Sequence, residues 1–222
     1  MKQGHWLDFE GFDEKSDRYY FYRRAVLLYD FLKGLKKDAS ILDFGCGTGN
    51  FTKFIREKGY KNVMGTDISK VLLESAKAKG NNVFLAKGEK IPVKSESFDA
   101  IILTDVIEHL PDLNKSFGEF WRVLKKNGRV FITYPNPFWV PVLNLFGFVG
   151  IKCDSRDNMA RIKKIRRFCR GRFKFRKFEG HMLFSKLPKG ILGLLEKIEK
   201  RMPAGFMRAF GLMREIVLEK EA

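Results

Sequence analysis

The chain has 222 residues, 45% of them apolar, which suffices for one large self-supporting core and excludes a disordered or fibrous protein. Lys and Arg number 43 against 26 Asp and Glu, a net +17 that favours anionic company: nucleic acid, acidic lipid or a phosphorylated molecule. The three cysteines, Cys46, Cys153 and Cys169, lack metal-type spacing, residues 1–10 hold no apolar stretch, and the longest apolar run, Pro137–Ile151, has only 15 residues with two prolines; together these point to a reducing, cytoplasmic compartment with neither secretory signal nor membrane span.

One domain in three textures is expected: 1–38 helical and aromatic, 39–134 alternating apolar runs with helical patterns, 135–222 basic and completing the fold. A helical stretch covers Asp17 to Leu32. Ser40–Phe44 reads as a buried strand, Gly45–Gly49 as a tight turn, and Asn50–Lys58 as a helix, with Phe51, Phe54 and Ile55 at helical spacing. Val63–Thr66 is a second strand ending at Asp67, and Ser69 suits the N-cap of the next helix. Val83–Ala86 and Phe98–Thr104 read as strands three and four. Leu113–Leu124 reads as a helix ended by Gly128, and Val130–Thr133 as strand five. Strands that alternate with helices and read as continuous apolar runs imply a mostly parallel α/β sheet covered on both faces. Ligands of such sheets sit beyond the carboxyl ends of the strands.

The glycine turn lies between strand and helix, where backbone must approach a ligand closely. Asp67 ends the next strand 24 residues after Asp43, and a carboxylate there can accept both hydroxyls of a ribose. The glycines run G-x-G-x-G at 45, 47 and 49, not the G-x-G-x-x-G of dinucleotide folds, and there is no G-x-x-x-x-G-K-[ST] phosphate loop.

Ile41-Leu42-Asp43-Phe44-Gly45-Cys46-Gly47-Thr48-Gly49-Asn50 resembles the first motif of class I S-adenosylmethionine-dependent methyltransferases. Gly65–Ser69 is similar to the ribose-binding acidic segment of that family, and Lys87–Pro92 with Ser97-Phe98-Asp99 to its adenine-side loop and fourth strand. Asp105-Val106-Ile107-Glu108-His109-Leu110-Pro111 and Arg122–Gly128 resemble the quinone-biosynthesis-type subgroup. The resemblance covers residues 40–136 and implies a Rossmann-like, seven-stranded, mostly parallel sheet. It implies S-adenosylmethionine held by Asp43, Gly45, Cys46, Gly47, Gly49, Asp67, Ile68, Gly88, Glu89 and Thr104. Lys87 stands where many relatives carry an acid, so Glu89 or the Gly88 backbone takes the adenine contact. Asn127 stands where a glycine is usual.

Methyl transfer to a hydroxyl or amine requires loss of a proton, and His109, beyond strand four, is the candidate base. Asp105, Glu108 and His109 also sit at metal-compatible spacing, with His181 available as a further ligand; no metal is assigned. Cys46 reads as a packing residue, and Tyr134-Pro135-Asn136-Pro137 imitates an N-methyltransferase motif but follows the wrong strand. The missing Asn/Asp-Pro-Pro-aromatic segment after strand four argues against base and amide N-methylation, and no cysteine stands there for cytosine C5 chemistry.

From Arg156 to Lys177 eleven Lys/Arg face one acid, Asp157. Met159, Ile162, Ile165 and Phe168 or Cys169 make this a basic amphipathic helix, followed by a strand from Arg172 to Arg176, a helix over Ile191 to Met202 and a seventh strand, Arg214 to Lys220. The basic face meets an anionic membrane surface, a pyrophosphate-bearing lipid, RNA or only solvent, and Pro137–Ile151 is a candidate apolar substrate lid or interfacial element. The expected activity is methylation of a small or lipid-like acceptor at oxygen. RNA methylation is the alternative, and a cofactor-binding protein without turnover is the non-enzymatic reading.

Overall fold

The computed structural model describes residues 18–136, 139, 162–181, 197–199 and 201–221. Most of the apolar run Pro137–Ile151, residues 156–161 at the start of the basic segment, and most of the helix expected over Ile191 to Met202 lie outside them. The described elements are α1 (Arg18–Leu32), β1 (Ile41–Phe44), α2 (Asn50–Glu57), β2 (Val63–Asp67), α3 (Lys70–Ala78), β3 (Val83–Leu85), β4 (Phe98–Thr104), a 3-10 turn (Ile107–His109), α4 (Leu113–Val123), β5 (Leu124–Pro135), α5 (Ile162–Cys169), β6 (Phe173–His181), α6 (Ala204–Phe210) and β7 (Met213–Lys220).

The strands form one seven-stranded sheet in the order β3-β2-β1-β4-β5-β7-β6. β1 to β5 run parallel, and β7 lies antiparallel between β5 and β6. Alternate residues of each strand feed two separate cores. Leu42, Ile101, Leu103, Ile132, Ile216 and Leu218 meet Phe117 and Phe120 of α4 and Ile165 and Cys169 of α5. Ile41, Ala100, Ile102, Phe131 and Val217 meet Leu28 and Leu32 of α1 and Phe54 and Ile55 of α2. Burial on both faces is why these strands read as unbroken apolar runs.

Three features differ from expectation, one being β6, which runs on to His181 where a strand ending at Arg176 was expected. Gly128 does not end α4: the helix stops at Val123 and β5 begins at Leu124, giving a strand of 12 residues with Asn127 at φ 58°. The family's usual glycine is explained there by left-handed backbone, and asparagine tolerates it better than most side chains. α6, between Pro203 and Gly211, went unread in the sequence because it is only seven residues long.

Candidate active site

The chain reverses after β1 through Gly45, Cys46 and Gly47. The backbone N–H groups of Gly45 and Cys46 both donate to the Thr66 carbonyl, at 2.7 and 2.9 Å, tying the loop to β2. Gly45 has φ +73°, and a Cβ there would stand 2.4 Å from Val106 Cγ2, so the turn after β4 seals the loop from behind. Gly47, at φ +54°, has nothing within 4 Å of an added Cβ. The loop is therefore packed on one side and open on the other, a cradle that a side chain would begin to fill. Gly49 caps α2 in the left-handed region.

Asp67 fixes the loop rather than merely standing beside it. Its Oδ2 accepts from the Gly47 N–H and its Oδ1 from the Ser69 N–H, both at 2.9 Å. Each carboxylate oxygen has two lone pairs, so acceptor capacity remains for ligand hydroxyls. Ile68, next in sequence, is 68% exposed, an apolar surface directly beside that carboxylate. Ser69 caps α3 as expected, its hydroxyl accepting from Leu72 N.

Asp43 is buried. Its Oδ2 accepts from the Thr52 hydroxyl at 2.6 Å, anchoring α2 beneath the glycine loop, while Oδ1 has no hydrogen-bond partner. Burial pushes its carboxyl up to about 6, with the Thr52 hydroxyl acting in the opposite sense. Cys46 is the packing residue the sequence suggested: its Sγ lies 2.9 Å from where a Cβ on Gly65 would be, and burial raises its thiol far above the ordinary value. Thr104 is buried at the end of β4; Gly88 is half-buried and Glu89 exposed on the segment after β3.

An arrangement the sequence did not disclose holds that segment. Arg122, on the last turn of α4, donates to the carbonyls of Ile91 and Val93 at 2.9 Å and pairs with both oxygens of Glu119 at 2.8 Å. Glu119 in turn accepts from the Ile91 N–H at 2.9 Å. The Arg-Val-Leu motif thus acts as a bidentate brace for the loop carrying Gly88 and Glu89.

Beyond β4, Asp105 has φ 54°, its N–H donates to Thr133 O, and its carboxylate meets Arg24 of α1 at 2.7 Å. Glu108 is buried with Oε2 unpartnered, and burial, reinforced by Asp105, drives its carboxyl well above the ordinary range. His109 is exposed. Asp105, Glu108 and His109 therefore do not gather, and the one described group whose ligand atoms lie within 4.8 Å of one another is Glu179, His181 and Glu215. There the Lys177 ammonium already contacts Glu179 at 3.3 Å and Glu215 at 2.9 Å, supplying the local positive charge. The Tyr134-Pro135-Asn136 segment is structural: the Asn136 amide donates to the carbonyls of Ala209 and Gly211, fastening the end of β5 to the turn before β7.

A parallel half-sheet with a glycine loop after β1, an acid ending β2 and an antiparallel β7 inserted beside β5 is the fold of class I methyltransferases. Residues 42–132 match the methyltransferase domain family, and in fold the chain is similar to class I, S-adenosylmethionine-dependent methyltransferases. Among relatives by sequence, the ubiquinone/menaquinone biosynthesis C-methyltransferase UbiE of Campylobacter jejuni is 36% identical over 114 residues, 48% of this chain and 46% of that protein. An uncharacterised protein of Methanocaldococcus jannaschii is 32% identical over 126 residues, 54% of this chain and 59% of the other. The chain thus spans about half the length of the relatives it matches. By structure it is similar to a SAM-dependent methyltransferase of Archaeoglobus fulgidus, with a TM-score of 0.64, 17% identity, and 90% of this chain and 94% of that one covered. Phosphoethanolamine N-methyltransferase 2 of Haemonchus contortus, solved with S-adenosyl-L-methionine, superposes with a TM-score of 0.65, 15% identity, and 90% and 53% coverage.

Proposed function

We propose that the protein transfers the methyl group of S-adenosylmethionine to a small or lipid-like acceptor at oxygen. The observation that supports the cofactor part of this reading is the glycine loop: braced from below by Asp67 and Thr66, and open above Gly47. The residues present fit the cofactor. Asp43, Gly45, Cys46, Gly47 and Gly49 would hold its amino-acid and sulfonium end, Asp67 its ribose hydroxyls, and Ile68, Gly88 and Glu89 its adenine side. Thr104 would close the site from the end of β4. The unpartnered Asp43 Oδ1 is a buried acceptor that a cationic ligand would satisfy.

The cofactor supplies an activated methyl group, so the protein's share is positioning and proton removal. His109, exposed on the turn after β4, is proposed to accept the proton of an acceptor hydroxyl. Incubation with methyl-labelled cofactor and the small-molecule, lipid and RNA fractions of the host tests the substrate class. Label in a small or lipid product bearing an O-methyl group supports the reading; label in RNA, or on carbon as the name of the UbiE relative implies for that protein, replaces it. The cofactor site has its own test. Asp67→Ala should weaken S-adenosylmethionine binding by about 1.5–3 kcal/mol in calorimetry, the range of charge-assisted hydrogen bonds. Unchanged affinity in the folded variant would refute the assignment.

A further inference from the structure

On the α4–α5 face of the sheet, two guanidinium groups converge on one aromatic ring without a carboxylate. Arg166 of α5 lies 5.6 Å from the centre of the Phe178 ring, and Arg214 of β7 lies 5.8 Å from the same centre. Neither forms a salt bridge among the described residues, whereas Arg24, Lys177 and His181 each meet a carboxylate. The Nε of Arg214 is buried and unpartnered. Tyr134 stands directly opposite Arg214 in the β5–β7 ladder, and its buried hydroxyl has no hydrogen-bond partner beyond a loose contact with the Arg214 guanidinium.

We infer that Arg166, Arg214 and the Tyr134 hydroxyl form an anion subsite that takes a phosphate or carboxylate group of the acceptor molecule. Two like charges beside one ring repel each other, and a shared anion relieves that repulsion while satisfying the orphaned donors. The position suits an acceptor. Thr133 pairs with Thr104 at the carboxyl end of β4, so Tyr134 and Arg214 stand one residue further out, beside the turn carrying Glu108 and His109. The surroundings agree. Burial raises the Tyr134 phenol, while the charge of Arg214, a hydrogen-bonding contact from the same guanidinium and then the charge of Arg166 oppose that rise, so both guanidinium groups act at this hydroxyl. The neighbouring Glu108 is held towards its neutral form, chiefly by burial, and so does not repel an incoming anion. The inference rests on the proposed methyl transfer to a small or lipid-like acceptor, and it names a chemical feature of that acceptor.

The test uses the full chain and inorganic pyrophosphate as probe, with S-adenosylmethionine affinity measured on the same samples. Arg166→Gln and Arg214→Gln should each weaken pyrophosphate binding about tenfold, and Arg214→Lys less. Lys164→Gln, an exposed change on the same helix, should leave it unaltered. Cofactor affinity should stay constant throughout, so loss of the anion subsite is separable from failure of the cofactor site. Vesicles of phosphatidylcholine with and without phosphatidate then distinguish the source: arginine-dependent binding to phosphatidate vesicles that pyrophosphate displaces identifies a lipid headgroup, and binding of pyrophosphate alone a soluble acceptor. Equal pyrophosphate affinity in wild type, both glutamine variants and Lys164→Gln, or no pyrophosphate binding in the wild type, would overturn the inference.

Discussion

Asp43 shows how a single residue sets stability against ligand affinity. Its carboxyl is raised to about 6 by burial, so holding it ionised costs the ligand-free protein about 3 kcal/mol at neutral pH. The sign follows from the raised value: stability is highest below the unfolded carboxylate's pKa, falls as pH rises from there to about 6, and is flat above. Asp43→Asn should therefore raise the unfolding midpoint of the ligand-free protein at pH 7 and shrink the further rise that S-adenosylmethionine gives; thermal denaturation with and without cofactor reads both. His109 belongs to the opposite case, an exposed residue with no part in the cofactor loop. His109→Ala should lower turnover by ~10²–10⁴-fold, with cofactor affinity unaltered. Full activity in the variant would remove His109 from the reaction. The glycine spacing and Asp67 were legible in the sequence because backbone conformation and ligand approach dictate residue type there. Glu108 was legible only as a carboxylate at a ligand-like spacing; its burial, which changes its charge, depends on neighbours distant in the chain.

At the scale of elements, α4 does more than cover the sheet. Phe117 and Phe120 bury its apolar face, and each such side chain contributes roughly 1.5–3 kcal/mol by leaving water. The polar end of the same helix reaches the loop after β3 through Arg122 and Glu119. Arg122→Ala should destabilise the fold by about 1–3 kcal/mol in urea denaturation and also lower S-adenosylmethionine affinity, because Gly88 and Glu89 ride on the braced loop. Arg122→Lys should recover only part of either loss, since an ammonium cannot reproduce the planar fork. A change in stability without a change in cofactor affinity would detach the brace from the site. α5 fits the amphipathic pattern where it is described: Ile165 and Cys169 are buried, while Lys164, Arg166, Arg167 and Arg170 are exposed. No helix among the described residues is long and apolar enough to cross a membrane.

Across the whole molecule, one buried ion network joins the first helix to the last strands. His181 at the end of β6 lies between two carboxylates, with Nε2 at 2.9 Å from Glu215 and Nδ1 at 3.3 Å from Glu199. Lys177 and Glu179 complete the Glu215 side, and Arg23 of α1 holds Glu199 at 2.8 Å. A neutral imidazole donates from only one nitrogen, so satisfying both acids requires the imidazolium. Burial opposes that charge, but the hydrogen bonds to Glu199 and Glu215 outweigh it, and the pKa is raised. This contribution to stability is fully present below the unfolded histidine value of ~6.5 and is lost as pH rises through the higher folded value. The unfolding midpoint should thus fall across that interval, and His181→Gln should flatten the fall. An unchanged pH dependence in the variant would exclude the imidazolium bridge.

By itself the sequence determined the alternation of β1 to β5 with their helices, the glycine loop and its acidic partner. These rest on local periodicity and on backbone conformations that few residues adopt. It also marked β6 and β7 as strands. Only the tertiary structure decided how β7 enters the sheet. β6 ends at the carboxyl edge, and α6 stays there, with the Met207 carbonyl only 1.8 Å from where a Cβ on Gly180 would stand. β7 begins at the same edge, with Met213 opposite both Pro135 and His181, so it runs back antiparallel between β5 and β6. That reversal sets Arg214 opposite Tyr134 and Glu215 against His181. No sequence period encodes either meeting, because both depend on strand order and register between segments far apart in the chain.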